Sequence, residues 1–395
     1  MQALSEKVLF ITLTPIDSNA SAAVRNRSVI AGLVDMGMLV DVVTLVDADQ
    51  TCDRFHCRNV RVFRRGRNAV HSALVKRENE SVPRKLLVKL VRNLYRKVAF
   101  YDSTKRAAVS VKLADLPQSN YDFVISSSDP KSSHLCAISL KRQGLRSSCY
   151  IQYWGDPWAE DVTRVDAYPK AIIARKERSL LKHADRIVYV SPFTIERQER
   201  LFSSLKKKMV FAPIPFDAEV KALQRERSSH PMRLGYFGAY NASLRNILPL
   251  YQFCKSNKSV QLIIVGNSDL SLPPDGSISV SPRVSREELQ VFEKDCDVHV
   301  CILNKEGMQI PGKIYHYAGT NDPILVILDG PNKDKVSEYL SRFKRFVICE
   351  NNKASIGEAV YAIQQGACFS KACSCLSPSS IASFIVSDRD DYEIK

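Results

Sequence analysis

No apolar run in the chain is long enough to cross a bilayer. A membrane-spanning helix needs about 18 or more apolar residues in succession, whereas every strand-like stretch here is broken by a charge or a glycine within about eight. No Gly-x-Gly-x-x-Gly follows the first apolar run, so a dinucleotide-binding reading of the N-terminal half is poorly supported. Walker A and His-Glu-x-x-His sequences are also missing, which removes P-loop and zinc-protease chemistry. The 11 cysteines include no Cys-x-x-Cys pair and are odd in number. Most stand singly in apolar segments, as Cys136, Cys149 and Cys301 do, the pattern of reduced buried thiols rather than a disulfide framework. The cluster Cys368, Cys373 and Cys375 has no nearby histidine and is not read as a metal site. Asp295-Cys296-Asp297 precedes an apolar run and reads as a turn, so no metal is assigned. The start carries Glu6 and leads into Val8-Leu9-Phe10-Ile11, too short for a signal peptide, so a cytoplasmic protein is expected.

What is present is the composition of a packed globular protein: 45% hydrophobic, 25% charged, with 15 Gly and 18 Pro in 395 residues. The net charge of +15 points to an anionic partner. Short apolar runs alternate with amphipathic ones throughout, the pattern of parallel sheets with crossover helices. Strands are expected at Val8–Leu13, Leu39–Val46, Val60–Phe63, Phe123–Ser126, Cys149–Tyr153 and Ile187–Val190. The rhythm pauses at Phe211-Ala212-Pro213-Ile214-Pro215, where two prolines favour an extended connector. It resumes with strands at Arg233–Phe237, Val260–Val265, Val298–Leu303, Pro323–Leu328 and Phe346–Cys349. Ser285-Arg286-Glu287-Glu288 is a capping box that opens a helix. The expected organisation is an N-terminal domain over 1–210, a C-terminal domain over 211–367, and a tail over 368–395 with a short helix at Pro378–Val386.

The excess charge is focused. Residues 61 to 106 hold 14 basic and 3 acidic residues, a net of +11. Lys85, Lys89, Arg92 and Arg96 fall within about 60° on a helical wheel, with Leu86, Leu87, Leu90, Val91, Leu94 and Val98 opposite. One reading is a helix with its apolar side on the core and its cations solvated. The other is contact with anionic lipid headgroups or a polyanionic acceptor, each basic residue contributing about 1 kcal/mol. Against nucleic acid, no zinc-finger spacing, RNA-recognition signature or recognition helix is evident.

Ligands of parallel sheets gather at the carboxyl ends of strands. The loops expected there are Ser126-Ser127-Ser128-Asp129-Pro130, Tyr153-Trp154-Gly155-Asp156-Pro157-Trp158, Phe237-Gly238-Ala239-Tyr240 through Arg245-Asn246, and Ile310-Pro311-Gly312-Lys313-Ile314-Tyr315-His316-Tyr317. With these, residues 8 to 364 resemble the glycosyltransferases whose two Rossmann-like α/β domains face each other across a cleft, the GT-B fold. More narrowly they resemble the retaining family 4, or group 1, transferases of bacterial cell-surface polysaccharide synthesis, most strongly over 234 to 328.

The resemblance implies that Gly238, Ala239 and Tyr240 admit the donor diphosphate, with Gly266 beside them and Arg245 and Lys313 neutralising the charge that grows on the leaving group. Pro311, Gly312, Ile314, His316 and Tyr317 complete the donor site, because Pro-Gly-Lys-Ile-Tyr-His-Tyr resembles the Pro-x-Lys-x-x-Glu-Tyr of one branch. The family's pair of glutamates eight positions apart is not reproduced: with His316 at the second place the first falls on Met308, and Glu306 lies two residues away. Asp156-Pro157-Trp158 resembles an acceptor-side loop, so Asp156 is expected to bind a sugar or acceptor hydroxyl and Trp154 or Trp158 to stack on a ring. Ser18, Asn19 and Asp129 are expected at the acceptor. The implied activity is metal-independent transfer, without a cofactor, from a nucleotide-sugar to a lipid-linked or polysaccharide acceptor. Two other readings stay open: a non-catalytic GT-B-like scaffold, consistent with the missing glutamate pair, and a nucleic-acid-binding protein using residues 61 to 106.

Overall fold

The computed structural model describes residues 5–46, 58–66, 99–161, 168–217, 231–305, 310–366 and 371–392, with residues 88, 90, 91, 93 and 94. The alternation of apolar runs and amphipathic stretches becomes two separate α/β units, one over Met1–Pro213 and Pro378–Tyr392, the other chiefly over Ile214–Ser377.

Unit 1 runs β1 (Lys7–Ile11), α1 (Ser21–Asp35), β2 (Leu39–Leu45), β3 (Val60–Arg65), α2 (Lys105–Ser110), β4 (Asn120–Ser127), α3 (Ser132–Arg142), β5 (Arg146–Trp154), α4 (Lys170–Leu181), β6 (Arg186–Tyr189), α5 (Pro192–Leu201) and β7 (Met209–Phe211). Unit 2 runs β8 (Met232–Phe237), α6 (Leu248–Ser256), β9 (Val260–Val265), β10 (Ile278–Ser281), α7 (Arg286–Asp295), β11 (Val298–Ile302), α8 (Gly312–Tyr317), β12 (Ile324–Leu328), α9 (Lys333–Ser341), β13 (Val347–Glu350) and α10 (Lys353–Gln364). The chain then returns to unit 1 as α11 (Pro378–Val386).

All strand pairs are parallel. The sheets are ordered β3-β2-β1-β4-β5-β6-β7 and β10-β9-β8-β11-β12-β13. Every residue of β11 and β12 is buried, as parallel strands covered by helices on both faces require. Each sheet reverses its direction of growth once, between β1 and β4 and between β8 and β11. The crevice outside the carboxyl ends at such a reversal is where open α/β sheets bind ligands. The capping box forms as expected: Glu288 N–H donates to Ser285 Oγ, and the Glu288 carboxylate accepts from the Ser285 N–H.

Two expectations change. The units divide after Pro213, and the described residues beyond 367 do not stand apart as a tail: residues 371–377 belong to unit 2 and Pro378–Tyr392 to unit 1. The reason is burial. Ile381, Phe384 and Ile385 of α11 are fully covered, α11 packs on α1, and Arg186 lies over the Phe384 ring. Gly32 of α1 makes the close approach possible, because a Cβ there would sit 2.0 Å from the Pro378 carbonyl oxygen. Gly32→Ala is therefore expected to cost unit 1 about 1–3 kcal/mol, read as a lower midpoint in urea unfolding followed by tryptophan emission. Strands β7 and β10 are additions to the sequence reading. Of the basic segment, Lys85, Lys89, Arg92 and Arg96 lie outside the described residues, whereas Leu90, Val91 and Leu94 are exposed, so these three do not face a core.

Candidate functional site

In unit 2 the site forms where β8 and β11 diverge. The Gly238 N–H donates to the Val265 carbonyl at 3.0 Å, and Gly266 is required beneath it, since a Cβ there would lie 1.9 Å from the Gly238 oxygen. The loop then pairs with itself, Asn241 and Arg245 exchanging backbone hydrogen bonds of 3.1 and 3.2 Å. Arg245 Nε donates to Asn304 Oδ1 at 2.7 Å, and the Lys305 N–H donates to the Leu244 carbonyl at 2.7 Å. The loop after β8 is thus tied to the loop after β11, and the Arg245 guanidinium is fixed at the sheet reversal. Gly238 itself is open on its outer side: a Cβ there would meet nothing nearer than the Tyr236 hydroxyl at 3.7 Å.

Lys313, in the first turn of α8, is half-buried with its ammonium 3.9 Å from Glu293 and 5.7 and 5.9 Å from the centroids of Phe237 and Tyr317. Burial holds its pKa below the usual lysine value; Glu293 opposes this, and the positive charges of Arg283 and Arg245 add to it. Lys313 and Arg245 both act on Cys301 in β11, opposing the burial that pushes that thiol up to about 12. Arg245, Lys313 and Arg283 therefore form one positive region at the strand ends, and Glu293 is the acidic neighbour of Lys313.

Three residues expected in the donor site have buried side chains. Tyr240 and Ile314 are buried. Tyr317 is buried too, stacked on His299 with centroids 4.2 Å apart and donating to Glu293 at 2.8 Å. They set the backbone around the site. Ala239 is exposed, and Gly238, Pro311, Gly312 and His316 are half-buried; His316 Nε2 lies 3.8 Å from where a Gly312 Cβ would be. Glu306 and Met308 lie outside the described residues. The carboxylates of Asp295 and Asp297 are engaged by Arg233, as a structural turn requires.

In unit 1 the corresponding strand ends hold a denser polar cluster. Arg25 of α1 is buried, donates through Nη2 to Ser127 Oγ at 3.3 Å and to the Ser128 carbonyl, and lies 4.9 Å over the Tyr153 ring. Gly155 makes room for it, since a Cβ there would be 2.2 Å from Arg25 Nη1. Lys131 Nζ donates to the Asp129 carboxylate and to the Asp156 carbonyl, the latter at 2.7 Å. Burial pulls Lys131 down, but Asp129 and Asp156 outweigh it and raise its pKa. Burial, and then Asp129, raises the pKa of Asp156. Glu177 is fully buried and accepts the N–H groups of Trp158 and Ala159 at 3.0 and 2.8 Å, fixing the loop that carries Asp156. Ser18 donates to the Pro15 carbonyl, while Asn19 is exposed and the Asp129 side chain is 47% exposed.

The two tryptophans do not form a sugar platform. Trp154 is fully buried, stacked on His134 at 4.3 Å and donating to Gln152. Trp158 packs edge-on against Phe100, with Tyr101 beside it. Their size and apolar surface are used inside unit 1.

Solved structures share the fold over nearly the whole chain. The catalytic domain of starch synthase IV from Arabidopsis thaliana, bound to ADP and acarbose, aligns with a TM-score of 0.57 at 9% identity, covering 98% of this chain and 96% of that one. An alpha,alpha-trehalose-phosphate synthase (UDP-forming) from Burkholderia vietnamiensis gives 0.52 at 9% identity, covering 96% and 98%. Anabaena HepE in complex with UDP and glucose gives 0.50 at 11%, covering 98% and 96%. The fold is GT-B. No family model matches the chain and no curated protein matches it significantly, so the GT-B architecture is shared without close sequence likeness.

Within this GT-B chain, several polar residues escape a reading of motifs. Arg25 and Asn26 are buried on α1, and Arg25 lies four residues from fully buried Val29, on the same helical face. That charge on a core-facing stripe is the one signal that marks it in advance. Lys131, His134, Asn304 and Glu293 carry no comparable mark, because their importance comes from partners 20 or more residues away or from burial. Arg283 follows β10, a strand too short and too rich in serine to stand out.

Proposed function

We propose that the chain is a retaining glycosyltransferase that takes a sugar from a nucleotide-sugar bound to unit 2 and passes it to a lipid-linked or polysaccharide acceptor in surface glycan synthesis, of the lipopolysaccharide or capsule kind. The observation that carries the reading is Arg245 fixed by Asn304 at the sheet reversal, with Lys313 in the same positive region. As the bond between sugar and diphosphate breaks, negative charge accumulates on the departing nucleoside diphosphate, and cations held in place beforehand lower that barrier. Arg245 and Lys313 take this role without a resident metal. The open side of Gly238 gives the phosphates access to the backbone, and His316, where the resembling branch has glutamate, hydrogen-bonds a ribose hydroxyl. In unit 1, Asp156 and Asp129 hold the acceptor hydroxyl, with Arg25 and Lys131 fixing their loops.

The exposed Leu90, Val91 and Leu94 and the basic residues around them support a peripheral position on an anionic membrane surface, on its cytoplasmic side. Sedimentation with anionic but not neutral vesicles, lost in high salt, is the expected result; equal recovery with both removes this part of the reading.

The nucleotide site is tested by thermal shift with UDP, ADP and GDP, since a ligand at about 100 times its Kd stabilises the folded state by about 2.7 kcal/mol. Gly238→Ala is expected to leave the unliganded melting temperature unchanged, because the new methyl meets no protein atom closely. The same methyl stands where the phosphates approach, so nucleotide affinity should fall about tenfold, equivalent to about 1.4 kcal/mol. Unchanged affinity would place the diphosphate elsewhere.

A further inference from the structure

The stretch that leaves unit 2 carries chemistry that sugar transfer does not use. Cys373 and Cys375 flank Ser374 in a single 3-10 turn over Ser374–Leu376, and their sulfur atoms are 3.2 Å apart in hydrogen-bond contact. The turn is held from several sides: the Leu376 N–H donates to the Cys373 carbonyl, the Cys373 N–H donates to Ala318 just beyond α8, and the Leu376 carbonyl accepts from Phe216, all at 2.9 Å. Both thiols are half-buried, so a small reagent has a route to them.

We propose that Cys373 and Cys375 are a thiol–disulfide redox pair that closes a disulfide across Ser374 when the oxidant is a low-molecular-weight disulfide such as oxidised glutathione. The Cys373 thiolate attacks one sulfur of the oxidant, forming a mixed disulfide and releasing one thiolate, which takes up a proton. Cys375 then attacks the Cys373 sulfur, its own proton going to the second departing thiolate. Two cysteine thiols and one small disulfide become one protein disulfide and two small thiols, the two electrons passing from the cysteines to the oxidant.

The roles are unequal for a physical reason. The hydrogen bond from Cys375 is the main influence that brings Cys373 down to about 7; burial opposes it, and the Leu376 N–H and Arg345 reinforce it. The same contact raises Cys375. By contrast Cys136, Cys254, Cys301 and Cys349 are each pushed up to about 12, chiefly by burial, which leaves them as inert thiols.

The test uses the reduced full chain in glutathione redox buffers, quenched with acid, alkylated and digested with trypsin. Cleavage after Lys371 and Arg389 puts both cysteines in one peptide and Cys368 in the preceding one. The expected product is that single peptide, two hydrogens lighter, with no attached glutathione. Cys375→Ser should stop at one glutathione on Cys373, whereas Cys373→Ser should leave Cys375 reacting on the order of tenfold more slowly than Cys373 does. Stable glutathione on both cysteines of the parent chain, a peptide cross-linked to Cys368, or equal reactivity in the two variants would each overturn the assignment. Nucleotide binding has no part in any of these outcomes.

Discussion

Arg245→Ala is expected to lower turnover of the nucleotide-sugar by about 10²–10³-fold, the range found when one preorganised charge-stabilising donor is removed from an active site. The effect should fall mainly on kcat, because the charge that Arg245 meets develops as the bond to the leaving group breaks. Stability should change little. The Arg245 side chain donates to Asn304 and, at 3.5 Å, to the Ala239 carbonyl, and without it the loop keeps its backbone pairing with Asn241 and the bond between Lys305 and Leu244. Arg245→Lys keeps the charge but loses the Nε–H that donates to Asn304, so partial recovery is expected. Lys313→Ala should act in the same direction and also remove the ammonium 3.9 Å from Glu293. Initial rates with a membrane extract as acceptor source, for all three variants, decide the matter. Parent-like rates in both alanine variants would remove these cations from the mechanism.

The second large effect is a loss of stability in unit 1 as the pH falls below about 6.5. His134 is fully buried, its Nδ1 shares a hydrogen bond with Ser126, and its Nε2 has no hydrogen-bond partner. Burial, with Lys131 and Arg25 nearby, holds its pKa well below 6.5. Above pH 6.5 the imidazole is neutral both folded and unfolded, and nothing is gained or lost. Below it the unfolded chain takes up a proton that the folded chain refuses, so each pH unit costs about 1.4 kcal/mol until the folded pKa is reached. Partial burial lowers His183 as well, and it contributes with the same sign. Asp156 and Glu177 act oppositely: burial raises their carboxyl pKa values, so protonation on acidification favours the folded form. His134→Gln isolates the imidazole, because the slope of stability against pH counts protons whatever the variant's absolute stability. The variant should lose about one proton's worth of slope between pH 6.5 and 5.5. Urea titrations followed by tryptophan emission report on unit 1 alone, since both tryptophans of the chain lie there. An identical slope in parent and variant would mean that His134 is protonated in the folded chain.

Much of this fold is legible in the sequence because parallel strands buried on both faces must be written as short unbroken apolar runs, as Ile324-Leu325-Val326-Ile327-Leu328 is. Helix ends are legible where the signal is local, as in the Ser285 to Glu288 box or Gly37, which takes φ +84° after α1. Gly238, Arg245 and Lys313 stand where the sequence pattern puts them, the first two in the loop after a strand and the third at a helix opening. What escapes depends on distant partners. Nothing around Pro378 announces that it will meet Gly32, and nothing near Trp154 says that its ring will be taken up by His134. The tryptophans look like a binding platform because rarity and proximity in sequence carry no information about which way a ring turns.

The docking of α11 on α1 has a consequence for how the protein is made. Ribosomes release a chain from its N-terminus, and domains generally fold as units in that order. Here the first unit to emerge lacks the helix that covers Gly32 until residue 386 has left the exit tunnel, whereas the described residues of the second end at Ser377. The last-begun half of the nascent polypeptide is therefore the first to have all its described helices and strands, and the N-terminal half must wait with the α1 face around Gly32 uncovered, an interval in which a chaperone would find it.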